Sequence, residues 1–224
     1  MGIISLEKAD HLFWLGRYTE RVFTTLDSFF KYYDKMLDVD DQAYKNFCES
    51  IAIPSDIYTD KEDFIRRYLF DSTDYNSIYS NMLRAFDNGV ILRDELSSTT
   101  LSYLQMALDC MEQKGSTGAV IYDLQPVLDD IFAFWGCLDD KVEDEECRNL
   151  IKCGKYLERL DLYMRMDYPY KYIEKEFSKF QNRLHKVKIG YSLGELDRLA
   201  GIISLGESWR DKYYEALNAL WNIF

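Results

Sequence analysis

The chain has 224 residues, 47% hydrophobic and 29% charged, a composition that suits a soluble globular protein with a sizeable buried core. Its 39 acidic against 27 basic side chains leave a formal charge of −12, which repels phosphate backbones and anionic lipid surfaces and argues against both as partners. Three prolines and 11 glycines are too few for a β-sandwich with its frequent turns, so an all-α fold is expected.

From Leu15 the apolar residues Leu15, Tyr18, Val22, Leu26, Phe29, Tyr33 and Met36 step by three or four, the spacing of one buried helix face. They predict a first helix over roughly residues 5–37. Residues 38–51 suit a shorter helix stopped by Pro54, and Asp60 suits the cap of another that runs through Phe64, Tyr68 and Leu69. After a loop at Ser72-Thr73-Asp74, a long pattern opens at Asn76 or Ser77. It carries Met82, Ala85, Gly89, Leu92, Leu96 and Tyr103 on one seam to about Gln113, with small residues at 85 and 89 that admit another helix. As one straight helix this segment spans roughly 57 Å, against a radius of gyration of about 17 Å for a compact chain of this length. Either the bundle is elongated or the helix bends near Gly89. Lys114 to Gly118 reads as the clearest loop, and further helices are expected at roughly 119–139, 143–167, 170–189 and 193–222, punctuated by Pro126 and Pro169. No Pro/Ser-rich linker separates two halves, so one helical domain over 1–224 is expected.

The longest apolar stretch, Ile131 to Leu138, is far below the roughly 20 residues that cross a bilayer. Leu6 stands where a myristoylation signal takes Ser or Thr, and Glu7, Lys8 and Asp10 interrupt any signal-peptide core, so a cytoplasmic protein is expected. Cys48, Cys110, Cys137, Cys147 and Cys153 contain no Cys-x-x-Cys pair and read as reduced, mostly buried thiols.

One motif recurs. Gly16-Arg17-Tyr18-Thr19-Glu20-Arg21 and Gly154-Lys155-Tyr156-Leu157-Glu158-Arg159 share the pattern Gly-basic-Tyr-x-Glu-Arg, and Leu12, Phe13 and Val22 match Leu150, Ile151 and Leu160 in register. Two equivalent helices in a duplicated bundle are implied. At about 100° per residue Arg21 lies about 60° from Tyr18 and Glu20 about 160° from it, so polar groups point two ways. Glu20 reaches Arg17 but not its neighbour Arg21, while Arg17/Arg21 and Lys155/Arg159 form like-charged pairs four residues apart that need counter-charges. The long central helix offers Asp87, Asp94 and Glu95, with Arg84, Asn88 and Arg93 interleaved, and Asp87 or Asp94 is the expected counter-charge. Interhelical ion pairs that fix register and an anion or peptide site are the two readings of the motif; only the second predicts an open cleft beside it.

With Trp14 before the first copy, the two Glu-Arg motifs resemble the bacterial alpha-E domain family, helical domains of unknown function named for that signature. Asn76-Ser77-Ile78, Arg84-Ala85-Phe86-Asp87-Asn88, Arg93-Asp94 and Ser97 are similar to the family's central segment. The resemblance covers about residues 5–167, with 170–224 as a shortened C-terminal part. Phe86 stands where the family usually has Arg, Asp87 and Asp94 where it has Glu, and a tryptophan soon after Ser97 is missing. The resemblance implies a setting beside ATP-grasp, peptide-ligase-like enzymes and transglutaminase-like proteases, hence an accessory role in peptide or amide-bond chemistry.

Other constellations are weaker. His11 and His185 lack the Glu-x-x-His spacing of di-iron bundles; His11 suits a hydrogen-bonded core histidine and His185 a solvated face. Lys114-Gly115-Ser116-Thr117-Gly118 follows a helix rather than a strand and lacks phosphate-loop spacing, and the acidic run from Asp139 to Glu146 lacks a calcium loop's glycine. No metal or cofactor is expected. Trp209, Tyr213, Tyr214, Leu217, Leu220, Trp221 and Phe224 suit docking onto the chain's own core or an interface helix. The expected function is a non-catalytic interaction or accessory module with protein partners, a homo-oligomer included; the alternative is an enzyme component or anion/peptide-binding protein using the Glu-Arg faces.

Overall fold

The computed structural model describes residues 4–117 and 121–224, and among these it contains ten α-helices, three 3-10 turns and no strand. α1 (Leu6–Asp38) starts at Ser5, whose side chain accepts the Lys8 N–H, and buries Leu12, Leu15, Val22, Leu26 and Phe29 along the face read from the sequence. α2 (Ala43–Ser50) and α3 (Lys61–Phe70, capped by Asp60) fold against its C-terminal half. There Phe47, Phe64 and Tyr68 surround the Phe29 ring at 5.5–5.7 Å between centroids.

The central segment is not one helix. α4 (Ile78–Ile91) ends at Leu92, and α5 (Ser98–Thr117) starts at Ser97, whose hydroxyl accepts the Thr100 N–H at 3.1 Å. The turn falls just after Gly89, so no 57 Å rod forms and α5 packs back on α4. The side chains of Leu101 and Leu104 come close over Gly89, the small residue on the seam. Lys114 to Thr117, expected in a loop, belong to the last turn of α5, while Gly118 lies outside the described residues.

α6 (Gln125–Lys141) carries Pro126 in its first turn, where a missing N–H costs nothing. α7 (Glu145–Arg165) is capped by Asp144 with Glu145 and Glu146 in its first turn, so the second half of the acidic run serves as a helix N-terminus, while Asp139 and Asp140 belong to the end of α6. α8 (Tyr170–Leu184) follows Pro169. The segment expected as one helix over 193–222 is divided into α9 (Leu193–Ile203), a 3-10 turn over Gly206–Lys212 and α10 (Tyr213–Trp221), with Gly206 at φ 66° where the direction changes. Its aromatic end docks on the chain itself: Trp209 is buried, the Phe224 ring lies 4.7 Å from that of Phe13, and Ser192 donates its N–H to the Ile223 carbonyl at 2.8 Å. No described helix is long and apolar enough to cross a membrane.

α1 and α7 form the centre, each packed on the other, with α4 and α6 also on α1 and α8 and α10 on α7. Arg17 meets Glu158, Arg159 meets Glu20 and Ser28 meets Met166, partners 141, 139 and 138 residues apart. A nearly constant separation means that the two helices run parallel in the register of the repeat. A Cβ at Gly16 would lie 1.9 Å from the Ile151 carbonyl oxygen and one at Gly154 2.0 Å from the Phe13 carbonyl oxygen. The duplicated glycines are thus the mutual contact points of a pseudo-two-fold helix pair.

Candidate functional site

The repeated Glu and Arg residues answer each other across this pair. Arg17 donates from Nε to Glu158 Oε2 at 2.8 Å with its Nη2 2.7 Å from the same oxygen, and Arg21 Nε lies 2.6 Å from Glu158 Oε1. In the other direction Arg159 Nε donates to Glu20 Oε1 at 2.6 Å, and the Thr24 hydroxyl donates to the same oxygen at 2.8 Å. Both carboxylates are buried to within 1% of complete exclusion from water. Arg159 also reaches Glu176 of α8 at 3.5 Å. Burial alone would raise the Glu158 carboxyl, but Arg21 and Arg17 outweigh it and hold the group below the usual carboxylate range.

The expected counter-charges are therefore corrected. Asp87 and Asp94 are solvent-exposed, and Asp94, at 91% side-chain exposure, pairs only loosely with Arg93 at 3.9 Å. Glu158 instead neutralises Arg17 and Arg21, and Glu20 neutralises Arg159, so these charges are answered between α1 and α7 and not by the central segment, while Lys155 has no ion pair among the described residues. The other α4 residues do different work. Arg84 lies over the Tyr75 ring at 4.0 Å and donates to the Tyr75 carbonyl at 3.1 Å, while Asn88 donates to the Arg84 carbonyl and sits 2.7 Å from Nδ1 of the half-buried His11. Asp94 lines a separate, open depression of about 520 Å³ with Lys141 and Asp144.

Beside the Glu158 end of the network lies a cleft of about 310 Å³. Arg17, Arg21 and Glu158 line it, joined by Asp161 about one turn and Arg165 about two turns further along α7. Arg165 Nε shares both Asp161 oxygens at 3.0 Å, and the Trp221 indole N–H donates to Asp161 Oδ1 at 2.8 Å. The Arg17 guanidinium carbon is 4.6 Å from the ring centroids of both Trp14 and Trp221, a desolvated cation–π arrangement. The opposite rim is the turn Ile51–Ile53, where Ala52 holds a left-handed φ of 58°, together with Asn76 and Asn81. Asp161 and Arg165 as site residues are not singled out by the repeat, because they stand where the two copies differ, and their four-residue spacing on the motif's own helix is the signal that points to them; Trp221 comes from the aromatic C-terminal segment, outside both copies.

The second copy faces a different environment. Lys155, the counterpart of Arg17, has no carboxylate within ion-pair distance among the described residues and places Nζ 3.9 Å from the Trp135 ring centroid. Burial pulls its amine down from 10.5 to about 8, opposed by Glu20, whose Oε2 has no hydrogen-bond partner among the described residues. A lysine pKa lower in the folded than in the unfolded chain makes stability rise as pH climbs from about 8 to 10.5. Lys155→Met is accordingly expected to be more stable than wild type at pH 7, with the difference shrinking across that window; urea unfolding at a series of pH values measures it.

Residues 7–188 match the Alpha-E family, described as a predicted alpha-helical domain with a conserved ER motif, and both Glu-Arg pairs fall inside the match. The chain belongs to this family. The match runs past residue 167 and takes in α8, further than the sequence motifs alone suggest. No curated protein and no solved structure matches the chain.

Proposed function

We propose that this Alpha-E protein is a non-catalytic accessory module, a single helical domain working in the cytoplasm, whose cleft beside Glu158 holds part of a partner protein or of that partner's substrate. The observation that carries this reading is the use to which Glu158 is put. Glu158, held below the usual carboxylate range by Arg21 and Arg17, is a permanent anion of low basicity, whereas a general acid or base works best with a pKa near the working pH. The thiols of Cys48, Cys147 and Cys153, pushed up to about 12 by burial, stay protonated and are poor nucleophiles.

ATP-grasp peptide-ligase-like and transglutaminase-like enzymes are the proposed partners, on the strength of the family resemblance; a chain at −12 disfavours nucleic acid and anionic membranes. Purification of the tagged protein from its native cell should bring such an enzyme with it, and the isolated chain should neither hydrolyse ATP nor form amide bonds. Steady turnover by the chain alone, abolished by Glu20→Gln or Arg21→Gln, would overturn the accessory reading in favour of an enzyme component.

A further inference from the structure

We propose that the cleft between α1, α7 and the Ala52 turn binds a carboxylate group, the chemistry of a peptide C-terminus or of a small organic acid, and that Arg21 is the residue that grips it. This deepens the binding-module reading by naming what the cleft recognises.

Charge balance comes first. The cleft is lined by three guanidinium groups, Arg17, Arg21 and Arg165, and by two carboxylates, Glu158 and Asp161. Arg165 and Asp161 satisfy each other through two 3.0 Å contacts, and Glu158 is left facing two arginines. One positive charge is therefore in excess inside a chain whose formal charge is −12. A monoanion cancels it; a dianionic phosphate would leave surplus negative charge next to Glu158 and Asp161 in a poorly solvated place.

Donor geometry identifies the gripping residue. Arg17 has the rings of both Trp14 and Trp221 4.6 Å from its guanidinium carbon and uses Nε and Nη2 on Glu158. Arg21 has its ion-pair contact with Glu158 at Nε, and no described residue accepts a hydrogen bond from its two terminal nitrogens. Those nitrogens carry four N–H donors in a planar fork, the geometry that takes a carboxylate with two parallel hydrogen bonds. The Arg21 side chain keeps 27% of its exposure, so the fork is reachable from the cleft. Asn76 and Asn81 on the rim add neutral amides, able to orient a bound group without changing the charge count.

Shape agrees with a small ligand or the end of a longer one. At about 310 Å³ the cleft stands at the lower limit of ligand pockets. Its walls of Trp14, Tyr18, Trp221, Ile51 and Ile53 are apolar faces that exclude water and strengthen a charged contact within. Ala52, at the rim, holds a backbone conformation that side-chain-bearing residues rarely adopt, the kind of local strain that collects where a binding surface is shaped.

The test uses the full chain and four probes: hippurate, N-acetyl-trialanine with a free C-terminus, and the carboxamide of each, with inorganic phosphate as a fifth. Binding is read by titration calorimetry and by intrinsic tryptophan fluorescence, to which Trp14 and Trp221 of the cleft contribute among four tryptophans. The acids should bind and their amides should bind about tenfold more weakly or not at all, as should Arg21→Gln with the acids. Tighter binding of the peptide acid assigns a chain terminus as the source, and tighter binding of hippurate assigns a small organic acid. Asn76→Ala, which touches none of the buried ion pairs, should weaken the acids about threefold and keeps the question open to test if Arg21→Gln does not fold. Failure of both acids to bind wild type, equal binding of acids and amides, or a preference for phosphate would overturn the proposal. No companion enzyme enters these measurements, so failure to find a partner leaves the carboxylate site standing, and failure of the acids to bind leaves the accessory role to the co-purification.

Discussion

Glu158→Ala is expected to cost the fold about 3–5 kcal/mol, read by urea or thermal unfolding, because it leaves Arg17 and Arg21 facing each other without a counter-charge. Breaking a buried ion group is expensive even where making it brought little net stability. The informative comparison is therefore Glu158→Met combined with Arg17→Met and Arg21→Met, which removes all three charges and should recover most of the loss. Glu20→Ala belongs to the same class but should fall at the lower end, since Arg159 keeps Glu176 at 3.5 Å. The pH dependence follows from the depressed Glu158 carboxyl: its contribution is complete above the ordinary value of 4.5 and is lost as pH falls below it. Wild type should therefore lose stability on acidification more steeply than the triple Met variant. If Glu158→Ala unfolds within about 0.5 kcal/mol of wild type, the network contributes nothing to holding α1 against α7.

Much of this centre was legible in the sequence for a physical reason. Two parallel helices in register place equal residues at equal heights, so a contact made by Gly16 must be made again by Gly154, and the repeat records it. What the repeat could not disclose was the direction of the ion pairs. Periodicity fixes which residues share a face of one helix, but not which face of another helix they meet, and on that ground Asp87 or Asp94 is the expected counter-charge of Arg17 and Arg21. The pairing of each copy's Glu with the other copy's Arg becomes visible only once the helices are known to be parallel. The α4–α5 break was hidden in the same way. Leu92 and Leu96 are both buried and continue the apolar seam through the turn, and only Ser97, whose hydroxyl accepts the Thr100 N–H, marks the new start. The cleft owes its character to asymmetry: Phe23 and Asp27 stand in the first copy where Asp161 and Arg165 stand in the second, so a search for what recurs passes over them.

Gly154→Ala tests the parallel packing most directly, and its sign is not set by helix propensity. In an open helix position alanine is better than glycine by about 1 kcal/mol, and Gly136→Ala in α6, where a Cβ meets nothing within 4 Å, should show that gain. At Gly154 the same methyl would sit 2.0 Å from the Phe13 carbonyl oxygen, which is backbone and cannot rotate away. Carbon–oxygen contacts of this kind settle near about 3.3 Å, so the helices would have to part by roughly 1 Å. Separation on that scale costs more than the about 1–3 kcal/mol of ordinary overpacking, because it also stretches the 2.6–2.8 Å contacts of Arg17, Arg21 and Arg159 beyond hydrogen-bond length. A loss above about 4 kcal/mol is expected, with Gly16→Ala matching it through the Ile151 carbonyl. The two substitutions should be far from additive, since either one alone already opens the shared interface. Gly154→Ala as stable as Gly136→Ala in urea unfolding would mean that α1 and α7 do not approach at these glycines.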